Sequence, residues 1–149
     1  MRRLADIKKI TRFSISDYAL MAEAFVYLLV ANFLIHLLPM RWWVHWIGKA
    51  EEAENNAPLT ETQKQKLVQV RKNLFRMNKL LLNSSRCFAL SLALKKMLAR
   101  RGIFASLYLG VNKKNGENLQ AHAWVKTGEM IIYGGKNAAE NYTQLISFG

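Results

Sequence analysis

The pattern of apolar and polar positions separates a helical part of the chain from a part with strand character that begins after Gly102. Residues 18–38 are dominated by Ala, Leu, Val, Phe and Met, and they contain no glycine or proline before Pro39. Ser16 and Asp17 stand directly before this segment, and both residue types cap helices. The pattern therefore predicts a long apolar helix over residues 18–38.

This first helix approaches the length of a bilayer span, so its environment has three interpretations. Glu23, Asn32 and His36 interrupt its apolar surface and argue against a span. We favour a helix that is buried or faces a partner, and the alternatives are a helix in a membrane interface and a true span. Three tryptophans come after this helix, and such residues are typical of either a protein core or a membrane interface: Trp42, Trp43 and Trp46.

The middle of the chain contains the best internal boundary. Residues 48–63 gather glutamates, asparagines and Pro58, a composition typical of a solvated linker. It divides the chain into an N-terminal helical segment, residues 1–58, and a core, residues 59–149. The two parts are expected to form one compact unit, because the whole chain has the length of a single domain.

Two further helices are expected after this boundary. Thr60 and Gln63 have the spacing of a capping box, and apolar residues then recur at three- and four-residue steps to about Leu82. Residues 83–85 offer caps for another helix over Arg86–Arg101, which the following glycine ends. The basic residues of the first of these helices indicate a solvated face or a docking surface for an acidic peptide: Lys64, Lys66, Arg71, Lys72, Arg76 and Lys79.

The apolar period then changes from helical spacing to two. Ile103–Val111, Leu119–Lys126 and Glu129–Tyr133 have the pattern of strands, and the turn-rich residues Asn112–Asn118 separate the first two. Thr127-Gly128 makes the last two strands a hairpin. Helix followed by antiparallel sheet predicts an α+β fold.

Composition adds two constraints. Lys and Arg number 22 against 10 for Asp and Glu, and the net charge of +12 favours an acidic partner, a nucleic-acid backbone or an anionic membrane. A single cysteine excludes an internal disulfide and, with no secretory signal, indicates a reducing, cytoplasmic setting. The histidines lack metal-ligand spacing: His36, His45 and His122.

Cys87 and His122 are the candidate catalytic residues. Cys87 falls in the first turn of a predicted helix, where unpaired backbone N–H groups and the helix dipole stabilise a thiolate. A thiolate nucleophile needs a base, and His122 is the one histidine in the second half of the chain. On an alternating strand His122 shares a face with Gln120 and Trp124. Papain-like and transglutaminase-like enzymes build their catalytic pair from a cysteine that opens a helix packed on a sheet and a histidine from the next-but-one strand.

Less specific interpretations of both residues stay open. A lone cysteine is often a small core residue, and a lone histidine on a strand is often structural. The chain would then be a non-catalytic basic protein that binds nucleic acid or a membrane, although its tryptophans lie away from the most basic helix.

Four motifs follow one another in a fixed order: Arg86-Cys87 before a Leu/Ala-rich helix, Leu98-Ala99-Arg100-Arg101-Gly102, Leu109-Gly110-Val111, and Ala121-His122-Ala123-Trp124-Val125. A basic start, a long apolar helix ending near Pro39 and an Arg-Trp segment precede them. Together these features resemble the transglutaminase-like leader peptidases of lasso peptide biosynthesis, the B proteins, over essentially the whole chain.

The resemblance implies a transglutaminase-like, papain-like cysteine protease core that follows a helical N-terminal half. It implies a cytoplasmic enzyme that removes the leader from a lasso precursor peptide, before a separate ATP-dependent cyclase forms the macrolactam. The chain resembles the form without a recognition domain, so the implied partners are the precursor and a separate leader-recognition protein, with the cyclase as a further candidate. No cofactor, metal or nucleic acid is expected, and membrane contact by residues 18–38 is not favoured.

The resemblance also implies roles for individual residues. Cys87 matches the family nucleophile and His122 its general base and acid, so we expect thiolate attack and hydrolysis, with acyl transfer as the alternative. Family members often carry an aspartate about a dozen residues after the histidine, where it orients the imidazole. Tyr133 and Gly134 occupy that region here.

No carboxylate is therefore available for the orienting role at that place. A two-residue turn at Thr127-Gly128 would pair residue 126 with residue 129 and bring Tyr133 opposite His122. Tyr133, Asn137 and a backbone carbonyl are the candidate orienting groups.

Overall fold

The computed structural model describes residues 13–49, 58–81, 87–114 and 118–149. The described elements are α1 (Ile15–Leu37), α2 (Met40–Ile47), α3 (Glu61–Leu80), α4 (Cys87–Ala99), β1 (Ser106–Lys114), β2 (Asn118–Thr127), β3 (Met130–Tyr133), α5 (Ala138–Asn141) and β4 (Thr143–Phe148). The basic start, most of the predicted linker, the predicted caps at 83–85 together with Arg86, and residues 115–117 lie outside the described residues.

The long apolar helix begins earlier than predicted. Ser14, not Ser16, is the N-cap of α1, because its side chain accepts a hydrogen bond from the backbone N–H of Asp17. The Asp17 carboxylate accepts a hydrogen bond from the Ser14 backbone N–H in return, which completes a capping box. The reciprocal pair satisfies two backbone groups at once, so it determines where the helix starts.

One face of α1 is part of the core and the opposite face is exposed. Leu20, Ala24 and Leu28 are buried in the cluster that joins α1 to α3 and α4. Glu23 forms an ion pair with Arg101, the residue two positions beyond the end of α4, with 3.1 Å between Oε1 and Nη1. The exposed apolar side chains of α1 include Ile15, Tyr18, Phe25, Val26, Leu29, Val30, Phe33 and Leu37.

By length and mean hydropathy, 1.8, α1 is the one helix in the described ranges that could cross a membrane, a test that core helices also pass. Two polar residues of this helix, Glu23 and Asn32, each meet a protein group. Asn32, for example, donates to the backbone carbonyl of Leu28 at 2.7 Å.

Helix α3 confirms the sequence pattern. Thr60 and Gln63 form the predicted capping box, and α3 buries Leu67, Val70 and Leu74 against the other helices. The helix ends at Leu80, two residues before the predicted end. At its buried edge Asn73 donates to the Asp17 carboxylate at 2.8 Å, which ties α3 to the start of α1.

The central helix α4 is the most deeply buried element. Nine of its thirteen residues are buried, and they contact the other helices on one side and the sheet on the other. After α4 the chain leaves the helix at Gly102, whose φ of +66° is the left-handed conformation that glycine adopts at helix ends. The Ile103 N–H then donates to the Leu98 carbonyl at 3.1 Å.

The sheet is antiparallel, with strand order β3-β2-β1-β4, and the predicted α+β fold is confirmed. The first strand begins at Ser106 instead of Ile103. It continues to Lys114, so the predicted loop over Asn112–Asn118 is wrong for most of its length: Asn112 pairs with Gln120 and Lys114 with Asn118. Ladder pairing along two neighbouring strands outweighs the weak strand propensity of Asn and Lys.

The predicted register of the hairpin is wrong. Thr127 pairs with Met130 and Lys126 with Ile131, so the turn residues are 128–129. An irregularity then shifts the register, and Tyr133 pairs with Val125. Tyr133 therefore does not stand opposite His122.

The two faces of the sheet pack against different partners. On the helix side, Leu107 and Val125 are fully buried in clusters that include residues of α4. On the outer side, Tyr108 and Trp124 stack with 5.6 Å between ring centroids and pack with Ala138 and Tyr142. Alternation along β2 places His122 on the outer side with Trp124.

Candidate active site

Cys87 is the first residue of α4 that the structure describes, and the sequence predicted it in the first turn of a helix from Arg86. Its thiol is free and half-buried. It borders an apolar cavity of about 280 Å³ between the start of α4 and the adjoining parts of β1 and β2. Two alanines of β2, Ala121 and Ala123, have side chains small enough to leave this space open. The complete lining is Cys87, Phe88, Leu109, Gly110, Val111, Ala121, His122, Ala123 and Leu145.

Two larger depressions lie elsewhere on the molecule. One, of about 440 Å³, lies near the end of α4 and includes Lys95, whose Nζ donates to the Ala105 carbonyl. The other, of about 430 Å³, lies along α1 beside Tyr27 and Trp46. Neither is lined by Cys87 or His122, so the smaller cavity is the one that adjoins candidate chemistry.

His122 is held by a backbone carbonyl. Its Nε2 lies 2.7 Å from the Gly134 oxygen. A carbonyl oxygen can only accept a hydrogen bond, so Nε2 must carry the proton. In the neutral imidazole Nδ1 then keeps its lone pair and is the nitrogen able to accept a proton. The hydrogen bond therefore determines which nitrogen is available to accept a proton.

An aromatic ring also fixes the plane of the imidazole. The Tyr142 ring stacks on His122 with 4.7 Å between centroids and 27° between planes. Tyr142 lies between α5 and β4 and also contacts Trp124, with centroids 6.5 Å apart. This contact was not predicted, because nothing in the sequence near Tyr142 indicates which distant residue it meets.

Cys87 and His122 border the same cavity without being bonded to each other. The accessible wall of the cavity is apolar, so the imidazole nitrogens are not part of it. Within the described residues, no hydrogen bond joins the thiol to the imidazole. The structure thus brings both candidates to one region of the fold, with Cys87 on the helix side of the sheet and the His122 imidazole on the outer side.

Tyr133 lies on the helix side of the sheet, away from its predicted position beside His122. Its ring packs against Phe75 of α3 with 5.4 Å between centroids. Burial raises the pKa of the Tyr133 phenol, and the negative charge of a Cys87 thiolate raises it further. Tyr133 therefore stays a neutral hydroxyl at neutral pH, and its electrostatic partner is Cys87.

Asn137, the other candidate orienting side chain, is exposed at the N-cap of the short helix α5. Its backbone carbonyl accepts hydrogen bonds from the N–H groups of Glu140 and Asn141. In the described part of the chain, neither Asn137 nor Tyr133 is bonded to His122, whereas the Gly134 carbonyl is. Of the orienting groups considered from sequence, the backbone carbonyl is the one that contacts the imidazole.

Among the described residues no group of His, Cys, Asp and Glu side chains is placed to hold a metal ion. The family model described as transglutaminase-like superfamily matches residues 34–147 of the chain, which include Cys87, His122 and the whole sheet. No curated protein and no solved structure matches the chain.

Proposed function

Because the chain belongs to the transglutaminase-like superfamily, we propose that it is a cysteine peptidase with Cys87 as nucleophile and His122 as general base and acid. The main support is the position of Cys87 at the start of α4, beside a cavity that His122 also borders. Unpaired N–H groups at a helix start stabilise a thiolate, and a histidine with a free Nδ1 can exchange protons with it.

The proposed reaction has two steps. The Cys87 sulfur attacks the scissile carbonyl carbon, the C–N bond breaks, and His122 delivers a proton to the leaving amine. Water then attacks the thioester, His122 takes its proton, and the C–S bond breaks to release the acid and the thiol. The backbone N–H of Cys87 is the candidate donor to the oxyanion that forms in both steps.

Catalysis requires Nδ1 of His122 to reach the thiol. Catalytic hydrogen bonds are often long in enzymes without substrate and tighten when substrate binds. We expect the bound peptide, or the protein that presents it, to bring the two groups into contact. Two small residues of the cavity wall, Ala121 and Ala123, leave space beside Cys87 for that movement.

The proposed substrate is the leader of a lasso precursor peptide, presented by a separate leader-recognition protein. The ordered motifs around Cys87 and His122 support this assignment, and the net charge of +12 supports an acidic leader or an acidic partner surface. The apolar cavity of about 280 Å³ beside Cys87 would accept a small side chain next to the cut bond. The proposed location is the cytoplasm, where the precursor is made and the thiol stays reduced.

The test is to incubate the protein with a precursor peptide in H₂¹⁸O, with and without a leader-recognition protein, and to weigh the products. Release of a leader whose new carboxylate carries ¹⁸O supports peptide hydrolysis. Release only in the presence of the recognition protein supports the two-protein arrangement. An intact precursor under all conditions, with the protein folded, would contradict the proposal.

Acyl transfer is the second candidate, because the same thiol and imidazole serve both reactions in this superfamily. An amine attacking the thioester in place of water would join two peptide groups. If the donor is a glutamine side chain, ammonia leaves and the product mass is the sum of the two reactants minus ammonia. The mass spectrum therefore separates transfer from hydrolysis in the same experiment.

A further inference from the structure

We propose that Gly134 and Tyr142 are the positioning residues of His122, and that together they replace the carboxylate that orients the histidine in related enzymes. The inference deepens the proposed function and rests on it for the catalytic meaning of the imidazole. Neither residue is expected to touch the substrate: the carbonyl of Gly134 selects the protonated nitrogen, and the ring of Tyr142 fixes the plane.

The carbonyl reaches the imidazole because the chain after β3 passes very close to β2. β3 pairs only with residues 125–127 of β2, so the β2 edge beside His122 is not covered by a strand. The chain turns there at Gly134, and the 2.7 Å hydrogen bond is made at this place. A backbone group can thus occupy the space that a longer orienting side chain would otherwise fill.

Only glycine fits at residue 134. Its φ is +101°, a conformation that other residues rarely adopt. A Cβ there would lie 2.4 Å from the Trp124 Cβ, 2.7 Å from the Trp124 Cα and 2.9 Å from the Ala123 carbonyl oxygen. Two of these atoms are backbone, so the neighbour cannot move aside by a side-chain rotation. Any larger residue must push the 134 carbonyl away from His122.

Trp124 provides the fixed surface for this arrangement. It is 1% exposed, and its indole N–H has no hydrogen-bond partner among the described residues. Packing therefore determines its position, chiefly against Tyr108, Gly110 and Tyr142. A Cβ at Gly110 would approach the Trp124 ring to 2.8 Å. The two glycines and Tyr142 thus surround the indole, and Tyr142 extends from it to the imidazole.

The Gly134 carbonyl performs part of the role of a carboxylate that orients a catalytic histidine. A carbonyl accepts the Nε2 proton and leaves Nδ1 free, but it has no full negative charge to stabilise an imidazolium. Replacing the side chains of Tyr133 or Asn137 should therefore leave the state of the imidazole unchanged. Replacing Gly134 should change it.

The first experiment determines which nitrogen of the His122 imidazole carries the proton when Gly134 and Tyr142 are unchanged. The protein is labelled with ¹⁵N-histidine in a His36→Gln, His45→Gln background, so that His122 gives the only imidazole signals; both replaced residues are exposed. At a pH where His122 is neutral, we expect a protonated Nε2 and an unprotonated Nδ1. Predominant protonation of Nδ1 would overturn the inference. The readout needs no substrate, so it stands even if leader cleavage is never observed.

The second experiment compares Gly134→Ala with Gly135→Ala. Gly135 has a similar φ of +96°, but a Cβ there meets nothing within 4 Å, so the control imposes the backbone strain without the collision. We expect Gly134→Ala to lose the preference for the Nε2-protonated form and to slow leader cleavage by about 10- to 100-fold, as outer partners of functional histidines do. Gly135→Ala should keep the wild-type ¹⁵N signals, those of an imidazole with a protonated Nε2 and an unprotonated Nδ1. Identical ¹⁵N spectra for both folded variants would overturn the inference.

Tyr142 provides a test that does not depend on a glycine position. Tyr142→Phe keeps the stacked ring and should keep the imidazole signature, whereas Tyr142→Ala removes the ring and should broaden or split the His122 signals. This pair decides the outcome if Gly134→Ala does not fold. Unchanged signals in folded Tyr142→Ala would overturn the role assigned to Tyr142. Normal imidazole signatures together with no cleavage by wild-type protein would contradict the proposed function and not this inference.

Discussion

The helix side and the outer side of the sheet hold the two candidate residues in different ways. Cys87 owes its position to α4 itself, since it is the first residue of a helix whose other residues are mostly buried. His122 owes its state to groups from later segments, the Gly134 carbonyl and the Tyr142 ring. The comparison teaches that the candidate nucleophile is placed locally, whereas the candidate base is oriented by tertiary packing.

The largest effect is expected at the thiol. Cys87→Ala should lower the rate of leader cleavage by more than about a thousandfold, because the chain has no second cysteine that could replace the proposed nucleophile. Initial rates measured by mass spectrometry test this. The thermal unfolding midpoint should stay close to that of the wild type, since the thiol is half-buried and only one atom is removed. Retained cleavage would show that the reaction does not use Cys87.

His122→Ala should lower the cleavage rate nearly as much, by about a hundredfold or more, because it removes the proposed proton-transfer group. His45→Ala is the matched control, since it removes an exposed histidine from α2 and should leave the cleavage rate unchanged. Equal cleavage rates for the two variants would show that the His122 imidazole takes no part in catalysis. The measurement is the cleavage rate at saturating precursor.

Gly110→Ala tests the packing of the outer side. The added Cβ would lie 2.8 Å from the Trp124 ring and 2.8 Å from the Thr143 carbonyl, so we expect a loss of about 1–3 kcal/mol in the free energy of unfolding. Urea denaturation measures it. Gly110 has no positive φ, so its variant tests the collision alone. Gly128→Ala adds a Cβ in open space at a φ of +53° and measures backbone strain alone. A Gly110→Ala variant as stable as the wild type would show that the indole is not closely packed there.

The smallest effect is expected for Tyr133→Phe, about tenfold or less in cleavage rate, the size of one hydrogen bond. A loss near a thousandfold would instead make Tyr133 a principal member of the site. The pKa of Tyr133 is raised in the fold above its ordinary value of 10.0, so the folded state holds the proton more tightly than the unfolded chain. Its contribution to stability is therefore present below pH 10 and is lost as the pH rises further.

The alkaline loss gives Tyr133 a second readout. Unfolding free energies of wild type and Tyr133→Phe should differ in their dependence on pH above pH 10, the ordinary pKa of the phenol, with the variant less dependent on pH. Parallel curves would show that burial and the Cys87 charge do not act on this phenol.

Several elements were predictable because their determinants are local. The capping box of Thr60 and Gln63 starts α3 as expected, and α4 is helical from Cys87 onward, while its expected start at Arg86 lies outside the described residues. The hairpin of β2 and β3 was expected as well, but not its register. A shift of register arises from how two strands pack together, and such irregularities leave little trace in a short sequence window.

Other elements depend on contacts between distant residues. β4 pairs with β1, and three of its six residues are exposed, so its apolar pattern is too weak to indicate a strand. The exposed face of α1 shows the same limit: an apolar sequence predicted a helix correctly, but its composition could not tell which side would be covered.

The sequence by itself determined the α+β class, the helix that carries the thiol, and the face of β2 on which the imidazole lies. Those properties follow from capping, from helical and strand periodicity, and from residue type. Only the tertiary structure decided what orients the imidazole, because a backbone carbonyl has no side-chain signature. Its position depends on a glycine fitting against Trp124, and the sequence shows the glycine without showing the neighbour it must approach.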